Sequence, residues 1–462
     1  MQSWQLYKIQ IKQLIKLAYP ILIAQIVQSL MGVIDVIMAG RVSAKDMAAI
    51  SIGTSIYFPL ILFGQGLLLA LPPTISYLNG AGKRAEIAHQ VRQGLWIAIP
   101  ISIPLFLIIY HSHFIIDLMK MDQTLATISA DYLKFMAFGI FPYLIAITFR
   151  GLNDGIAKTK PAMVIAAISL ILNIPLNYVF IYGKFGIPAF GGVGCGIATM
   201  LIYWFQASLL ILYCYKTPNQ KDLKVFQPII EKPAPQTLLK LSRLGLPIAL
   251  AICSEVILFT IVSLLLSPLG AEVVASHQIA LNTSSSIYII PLSIGMATTI
   301  LVGQSLGENN LLKARQFTFS ALSLGLLITL ITAVLTFFLR EKIASIFVDD
   351  FDVIAMAASL LLFAALYQVF DTTQVIIGGV LRGYKETKPV LWISVLGYLG
   401  FGLPVGYLLA LTDLITTPLA AKGFWIGFVL CLILVSILLS IRLYRLQHLP
   451  DKEILLRLQK RQ

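Results

Sequence analysis

Twelve separate runs of about twenty mostly apolar residues decide what this chain can fold into, because a helix crossing a hydrocarbon layer needs that length. They lie near 16–39, 48–70, 93–112, 126–148, 161–183 and 192–215, then near 244–267, 274–300, 317–339, 354–380, 389–411 and 419–441. The runs are unbroken, whereas the strands of a membrane barrel would alternate at every second residue. In lipid, each backbone N–H and C=O must find a partner inside its own segment, and a helix supplies one. The expected fold class is therefore an all-α integral membrane protein with twelve transmembrane helices. Composition agrees: 58% of the 462 residues are hydrophobic and 12% charged, against roughly a quarter charged in soluble domains. A soluble globule and a disordered chain are both excluded.

The formal charge is +13, and the placement of the Lys and Arg residues carries more information than their sum. Of 34 basic residues, 26 fall on the side that holds both termini and 8 on the other. Basic loops stay in the cytoplasm, so both termini are expected there, in a bacterial cytoplasmic (inner) membrane. No basic patch lies on an amphipathic soluble module, so membrane lipids are the expected partner and nucleic acid is not. Cys195, Cys214, Cys253 and Cys431 fall inside apolar runs without metal-like spacing and read as small hydrophobes. The polar, basic stretch from Met1 to Lys16 and the long run after it do not resemble a cleavable signal peptide.

The chain repeats itself. Lys160-Pro161 recurs as Lys388-Pro389, Pro20 as Pro247, and Pro175, Tyr178 and Gly194 as Pro404, Tyr407 and Gly423. Arg150-Gly151 recurs as Arg382-Gly383, and Ser55-Ile56-Tyr57 as Ser286-Ile287-Tyr288. The order is kept at almost half the chain length, so the expected organisation is two pseudo-symmetric six-helix bundles. These are a lobe at 1–215, a cytoplasmic linker at 216–240 and a second lobe with a cytoplasmic tail at 241–462. Six spans per unit make both units enter from the same side, an arrangement suited to alternating access. Paired prolines, Pro59 with Pro291 and Pro175 with Pro404, supply bends and freed carbonyls.

Three carboxylates lie well inside spans: Asp35, Glu255 and Asp371. Each costs roughly 2.5–3.5 kcal/mol at a helix centre, so each should face a cavity or a partner. No Lys or Arg is expected at matching depth, which points to the handling of protons or other cations. Asp35 shares its depth with Asn173 and Asn177, two amides on one helix face, which suits a proton or a small hard cation. The asparagines serve equally well as glue between helices. Glu255 meets Tyr367 and Asp371 at one level, where two carboxylates and a phenol form a candidate Na+ site of oxygen ligands. A proton, Na+ or an organic cation can neutralise the same buried charge in turn, which makes Asp35, Glu255 and Asp371 substrate-binding candidates too. An inward-moving ion supplies roughly 2.3 kcal/mol per charge per 100 mV.

Other signals are weaker. His111 and His113 have poor metal spacing, and His277 fits a structural role slightly better than a cavity lining. The spacings Gly192 to Gly196 and Gly423 to Gly427 suit close helix contacts. No phosphate-binding glycine-rich loop is present, so an ATP-driven pump is not expected, nor any cofactor beyond transported Na+ or H+.

The chain resembles the multidrug and toxic compound extrusion (MATE) family, on its NorM-type bacterial branch, over nearly its whole length. The resemblance is carried by Met31 to Gly40 around Asp35, Gly80-Ala81-Gly82, Lys160-Pro161, Leu172 to Asn177, Gly191 to Gly196, Glu255, and Tyr367 to Asp371 with Leu381 to Tyr384. It implies a two-lobed antiporter that expels organic cations and zwitterionic drugs, antibiotics included, in exchange for Na+ or H+. By the same resemblance Asp35, Asn173 and Asn177 form a polar site in the first lobe, and Glu255, Tyr367 and Asp371 a cation site in the second. NorM-type members favour Na+, and nothing in the sequence demands more than a monomer. A lipid-precursor flippase of similar shape is the alternative, although such proteins line their cavity with basic groups. A membrane enzyme is not expected, because no zinc motif or Ser–His pairing lies within the spans.

Overall fold

The computed structural model describes residues 2–228 and 231–460, so positions 229 and 230 of the expected linker and 461 and 462 of the tail lie outside the described residues. Among the described residues, twelve helices are long and apolar enough to cross a membrane. In the first half they are α1 (Gln5–Gly40), α2 (Ala44–Gly80), α3 (Arg84–Tyr110), α4 (Gln123–Gly155), α5 (Lys160–Tyr182) and α6 (Val193–Lys216). In the second they are α7 (Pro235–Leu269), α8 (Ala271–Gly307), α9 (Leu311–Ser345), α10 (Phe351–Gly383), α11 (Thr387–Leu411) and α12 (Ala421–Gln447). No strand occurs among the described residues.

Several helices overrun their apolar runs because polar caps set their ends. Ser43 accepts from the Asp46 amide, Asp122 from that of Leu125, Asn310 from that of Lys313 and Asp350 from those of Asp352 and Val353. Along the spans the usual globular pattern is inverted. Ile171, Leu264 and Phe338 are more than two-thirds exposed, while Ser102, Ser169 and Asn173 are fully buried. Apolar surface of that extent suits lipid, not water.

Both halves pack alike. In the first, α4 is central and touches α2, α3 and α6, and α5 lies on α6. In the second, α10 touches α8, α9 and α12, and α11 lies on α12, which is the same pattern with each helix number raised by six. The duplicated Gly194 and Gly423 explain one of these contacts. A Cβ on Gly194 would sit 2.6 Å from the Phe180 carbonyl carbon, and one on Gly423 would sit 2.5 Å from the Ala410 Cα. Only glycine lets α6 reach the end of α5, and α12 the end of α11, so closely.

The chain divides into two compact units, Tyr19–Ala249 and Met1–Ala18 with Leu250–Gln462. The division falls inside α1 and α7, beside the duplicated Pro20 and Pro247, and not in the linker. The start of α1 belongs with the second half because Tyr7 bonds Ser323 at 2.7 Å and Gln10 bonds Gln316 at 2.7 Å. The linker belongs with the first half because α3 binds it. Arg84 Nε donates to Asp222 at 2.6 Å, Arg92 Nε to Glu231 at 2.5 Å, and the Trp96 indole to the Glu231 carbonyl at 2.7 Å. The Arg84 hydrogen bond holds the Asp222 carboxyl below the usual carboxylate range. Partial burial works against ionisation of Glu231, yet hydrogen bonds from Arg92 and His89 outweigh it and hold that carboxyl low as well.

The two halves differ in one helix. Pro175 sits in regular α-helix, whereas Pro404 follows a π-helical stretch, Leu396–Gly402, in which the Leu403 N–H reaches back to the Tyr398 carbonyl. Proline offers no N–H and crowds the carbonyl four residues before it, here Gly400, and one wider turn relieves that crowding.

Candidate functional site

In the first unit the structure brings Asp35, Asn173 and Asn177 together. Asn177 Nδ2 donates to Asp35 Oδ1 at 2.6 Å, and Asn173 Nδ2 donates to the same oxygen at 3.2 Å. Asn177 Nδ2 also donates to Asn173 Oδ1 at 3.1 Å. The two amides are one helical turn apart on α5, so both project from one face toward α1. The second carboxylate oxygen, Asp35 Oδ2, accepts from Thr199 of α6 at 3.0 Å, a ligand that the sequence reading missed. A hydroxyl in an apolar run carries little signal until its neighbour is known. Cys195, one turn earlier on α6, donates to the Asp35 carbonyl at 3.4 Å. Three side chains thus serve one carboxylate, while Asn177 Oδ1 is buried without a hydrogen-bond partner among the described residues. A vacant oxygen acceptor beside a carboxylate is where a small cation gains most from oxygen ligands.

The second unit places Glu255 of α7 within electrostatic reach of Asp371 of α10, and Tyr367 within reach of both. Tyr367 and Asp371, one turn apart, are nearly fully buried, whereas Glu255 is half-buried. Asp371 Oδ1 accepts from Gln374 Nε2 at 3.1 Å, and Gln374 Oε1 accepts from the Tyr398 hydroxyl at 2.8 Å. Tyr398 lies in the π-helical stretch of α11, so the widened turn sets the helix register from which its hydroxyl meets Gln374. Neither Gln374 nor Tyr398 was foreseen, and the glycines at 397, 400 and 402 ahead of Pro404 were the available sign of irregular backbone. Tyr288, within reach of both carboxylates and of Arg382, was missed too.

None of the three carboxylates forms a salt bridge among the described residues. Two basic side chains nevertheless lie within the long helices. Because α4 and α10 continue beyond their apolar runs, Arg150 and Arg382 lie inside helices. Another buried carboxylate, Asp154, sits in the last turn of α4, with Arg150 Nε 3.5 Å away. No group of three or more His, Cys, Asp or Glu capable of holding a metal ion occurs among the described residues. Any cation held at either site would therefore rest on carboxylates together with neutral oxygens. His277 is fully buried, accepting from the Trp425 indole at 3.2 Å and lying 3.4 Å from Ser263 Oγ, which is a structural role.

The family model named MatE matches the chain twice, at residues 20–179 and 247–408, in step with the internal repeat. The chain belongs to the MATE family. Relatives cover it end to end. A probable multidrug resistance protein NorM from Mannheimia succiniciproducens is 59% identical over 99% of this chain and 98% of its own length. Multidrug resistance protein MdtK from Yersinia pseudotuberculosis is 47% identical over 98% of this chain and 99% of its own. Among solved structures, the eukaryotic MATE transporter AtDTX14 superposes with a TM-score of 0.89 at 22% identity, covering 98% of this chain and 99% of that one. A MATE crystallised in complex with MaD3S gives 0.84 at 20%, covering 98% and 97%. At such identities these two likenesses speak for the fold, and the fold is that of MATE transporters. MATE proteins are transporters, not enzymes, and this one is a multi-pass inner-membrane protein.

Proposed function

We propose that the chain is a cation-coupled multidrug antiporter that exports organic cations and zwitterionic drugs, antibiotics among them, in exchange for Na+, with H+ as the second possible coupling ion. The observation that carries this reading is the placement of Asp35, Glu255 and Asp371 in spanning helices, two of them buried and Glu255 half-buried, without a salt-bridge partner among the described residues. Glu255 and Asp371 repel one another in a medium of low dielectric, and a cation between them relieves that repulsion. Na+ suits the pair, with the Tyr367 hydroxyl as a neutral ligand. At Asp35, Asn173 and Asn177 a proton or small cation is held by Asp35 and the vacant Asn177 oxygen. The same three carboxylates receive the cationic end of a drug once the ion has left.

Alternating access is favoured by two compact units with one packing pattern, joined through α1 and α7. Both joints lie beside a proline, where a helix lacks one hydrogen bond and bends most readily. Both termini are placed in the cytoplasm by the basic-residue count, lipids cover the apolar faces, and a monomer suffices.

The test uses purified protein in liposomes loaded with ethidium. A Na+ gradient at uniform pH should drive export, and a pH gradient without Na+ should drive less. Export under the pH gradient alone would replace Na+ by H+. No export of dye under either gradient would end the antiporter reading.

A further inference from the structure

Gly191 and Gly192 open the glycine-rich run that stands out in the sequence, and the structure shows what they make room for. Asp46, in the first turn of α2, is buried and belongs to neither site described above. Its Oδ1 accepts from the Gly192 amide at 2.6 Å, and its Oδ2 accepts from the Ser43 hydroxyl at 2.5 Å. A Cβ on Gly191 would sit 2.7 Å from that Oδ1, and one on Gly192 3.0 Å from it. Gly191 also has φ +57°, which a side chain would oppose whatever the space. The two glycines therefore form a cradle for one carboxylate.

Gly192 immediately precedes α6, so Asp46 brings a negative charge to the start of that helix. Free backbone N–H groups and the helix dipole both favour one there. From this point one face of α6 leads to the first site. Cys195, one turn on, donates to the Asp35 carbonyl at 3.4 Å, and Thr199, a turn further, donates to Asp35 Oδ2 at 3.0 Å. A slip or rotation of α6 would carry both away from Asp35 together.

The internal repeat marks the same position as an anchor. In the register that relates Tyr57 to Tyr288, Asp46 corresponds to His277, and His277 of α8 accepts from the Trp425 indole of α12. Each unit thus ties its second helix to its sixth from one place. In the register that relates Gly194 to Gly423, Thr199 corresponds to Phe428, which has no donor to deliver. The charged anchor accompanies the sixth helix that must present a hydroxyl to a carboxylate.

We propose that Asp46 is a positioning residue for the first site: by holding the start of α6 against α2, it fixes the place and rotation from which Cys195 and Thr199 meet Asp35. The inference rests on the export function proposed above, in which Asp35 receives ion and drug in turn.

The test is a double-variant cycle on initial ethidium export rates, with full-length protein in liposomes under the gradient that drives the wild type. Asp46→Ala should lower the rate severalfold, as Thr199→Val should, since each removes a hydrogen bond to a carboxylate. The double variant should fall no more than about twofold below Thr199→Val alone. Gly192 and Thr199 lie about 10 Å apart along α6, so unrelated losses would multiply instead. Asp46→Asn keeps an oxygen acceptor for the Gly192 amide and should restore most of the rate. Ser43→Ala removes the bond to Oδ2 and should give a smaller fall that likewise vanishes beside Thr199→Val; it carries the test if Asp46→Ala does not insert. Three results overturn the proposal while wild-type export leaves the transporter reading standing. They are a wild-type rate from inserted Asp46→Ala, losses that multiply in either double variant, and a loss in Asp46→Asn equal to that in Asp46→Ala. Failure of the wild type to export ethidium under either gradient sinks the transporter reading, and this one with it.

Discussion

Asp35 and the Glu255–Asp371 pair solve the same problem, a negative charge inside a membrane, in opposite ways. Asp35 is a lone carboxylate whose oxygens are met by Asn173, Asn177 and Thr199. In the second unit two carboxylates lie within electrostatic reach of one another, and the one side-chain hydrogen bond made to them among the described residues runs from Gln374 to Asp371. Neutral donors can hold a single charge without any ion, so the first site is preorganised. Two like charges with few donors repel one another, and either a proton on one of them or a cation between them relieves the repulsion. The difference teaches that duplicated halves need not keep duplicated sites: on the function proposed above, the second site has the stronger demand for a cation.

The largest effect should come from breaking the pair. Asp371→Asn or Glu255→Gln should leave the protein inserted and lower ion-driven ethidium export more than about tenfold, since each removes a charged contact. Wild-type export rates in loaded cells expressing either variant would refute the pair's role. A second experiment separates the sites by ion binding. Excess Na+ should raise the thermal stability of the wild type by mass action, about 2.7 kcal/mol at a hundredfold excess over the dissociation constant. Asp35→Asn should retain most of that gain and Glu255→Gln should lose it; the reverse result would invert the comparison.

Smaller changes refine each site. Thr199→Val removes one of three donors to Asp35, and Tyr398→Phe removes a hydroxyl that reaches Asp371 only through Gln374. Dye-export assays should find Thr199→Val the more damaging, by severalfold against less than about twofold for Tyr398→Phe, as direct and indirect contacts differ. The smallest effect lies outside the membrane. Because Glu231 is held low in the folded protein, its ion pair contributes fully above the ordinary carboxylate range near 4.3 and is lost only as pH falls through the depressed value. Once intrinsic exchange rates are divided out, the protection of the amides of linker residues 231, 232 and 234 should therefore stay constant from about pH 8 to 5 and fall only in stronger acid, whereas Glu231→Gln should lower it throughout.

Some of this was legible early. Span number, all-helical class and internal repeat followed from runs, loop charges and recurring prolines, since each is a property of one segment or of two compared in register. The Asp35–Asn173–Asn177 cluster was legible because α5 spacing puts both amides on one face and depth did the rest. Thr199, Gln374 and Tyr398 were not, because a hydroxyl or amide in an apolar run is ambiguous until a neighbouring helix fixes what it faces. Arg150 was counted among the inner loop charges because the end of an apolar run is not the end of a helix.

What the chain order alone determined is how many times it crosses the membrane and where it pays to bury charge, because hydrophobic length and the cost of an ion in lipid are local quantities. What tertiary structure decided is which oxygens and nitrogens meet those charges. That depends on helix rotation, on close approach at Gly194 and Gly423, and on one widened turn ahead of Pro404, and each of these is set by packing between segments far apart in the sequence.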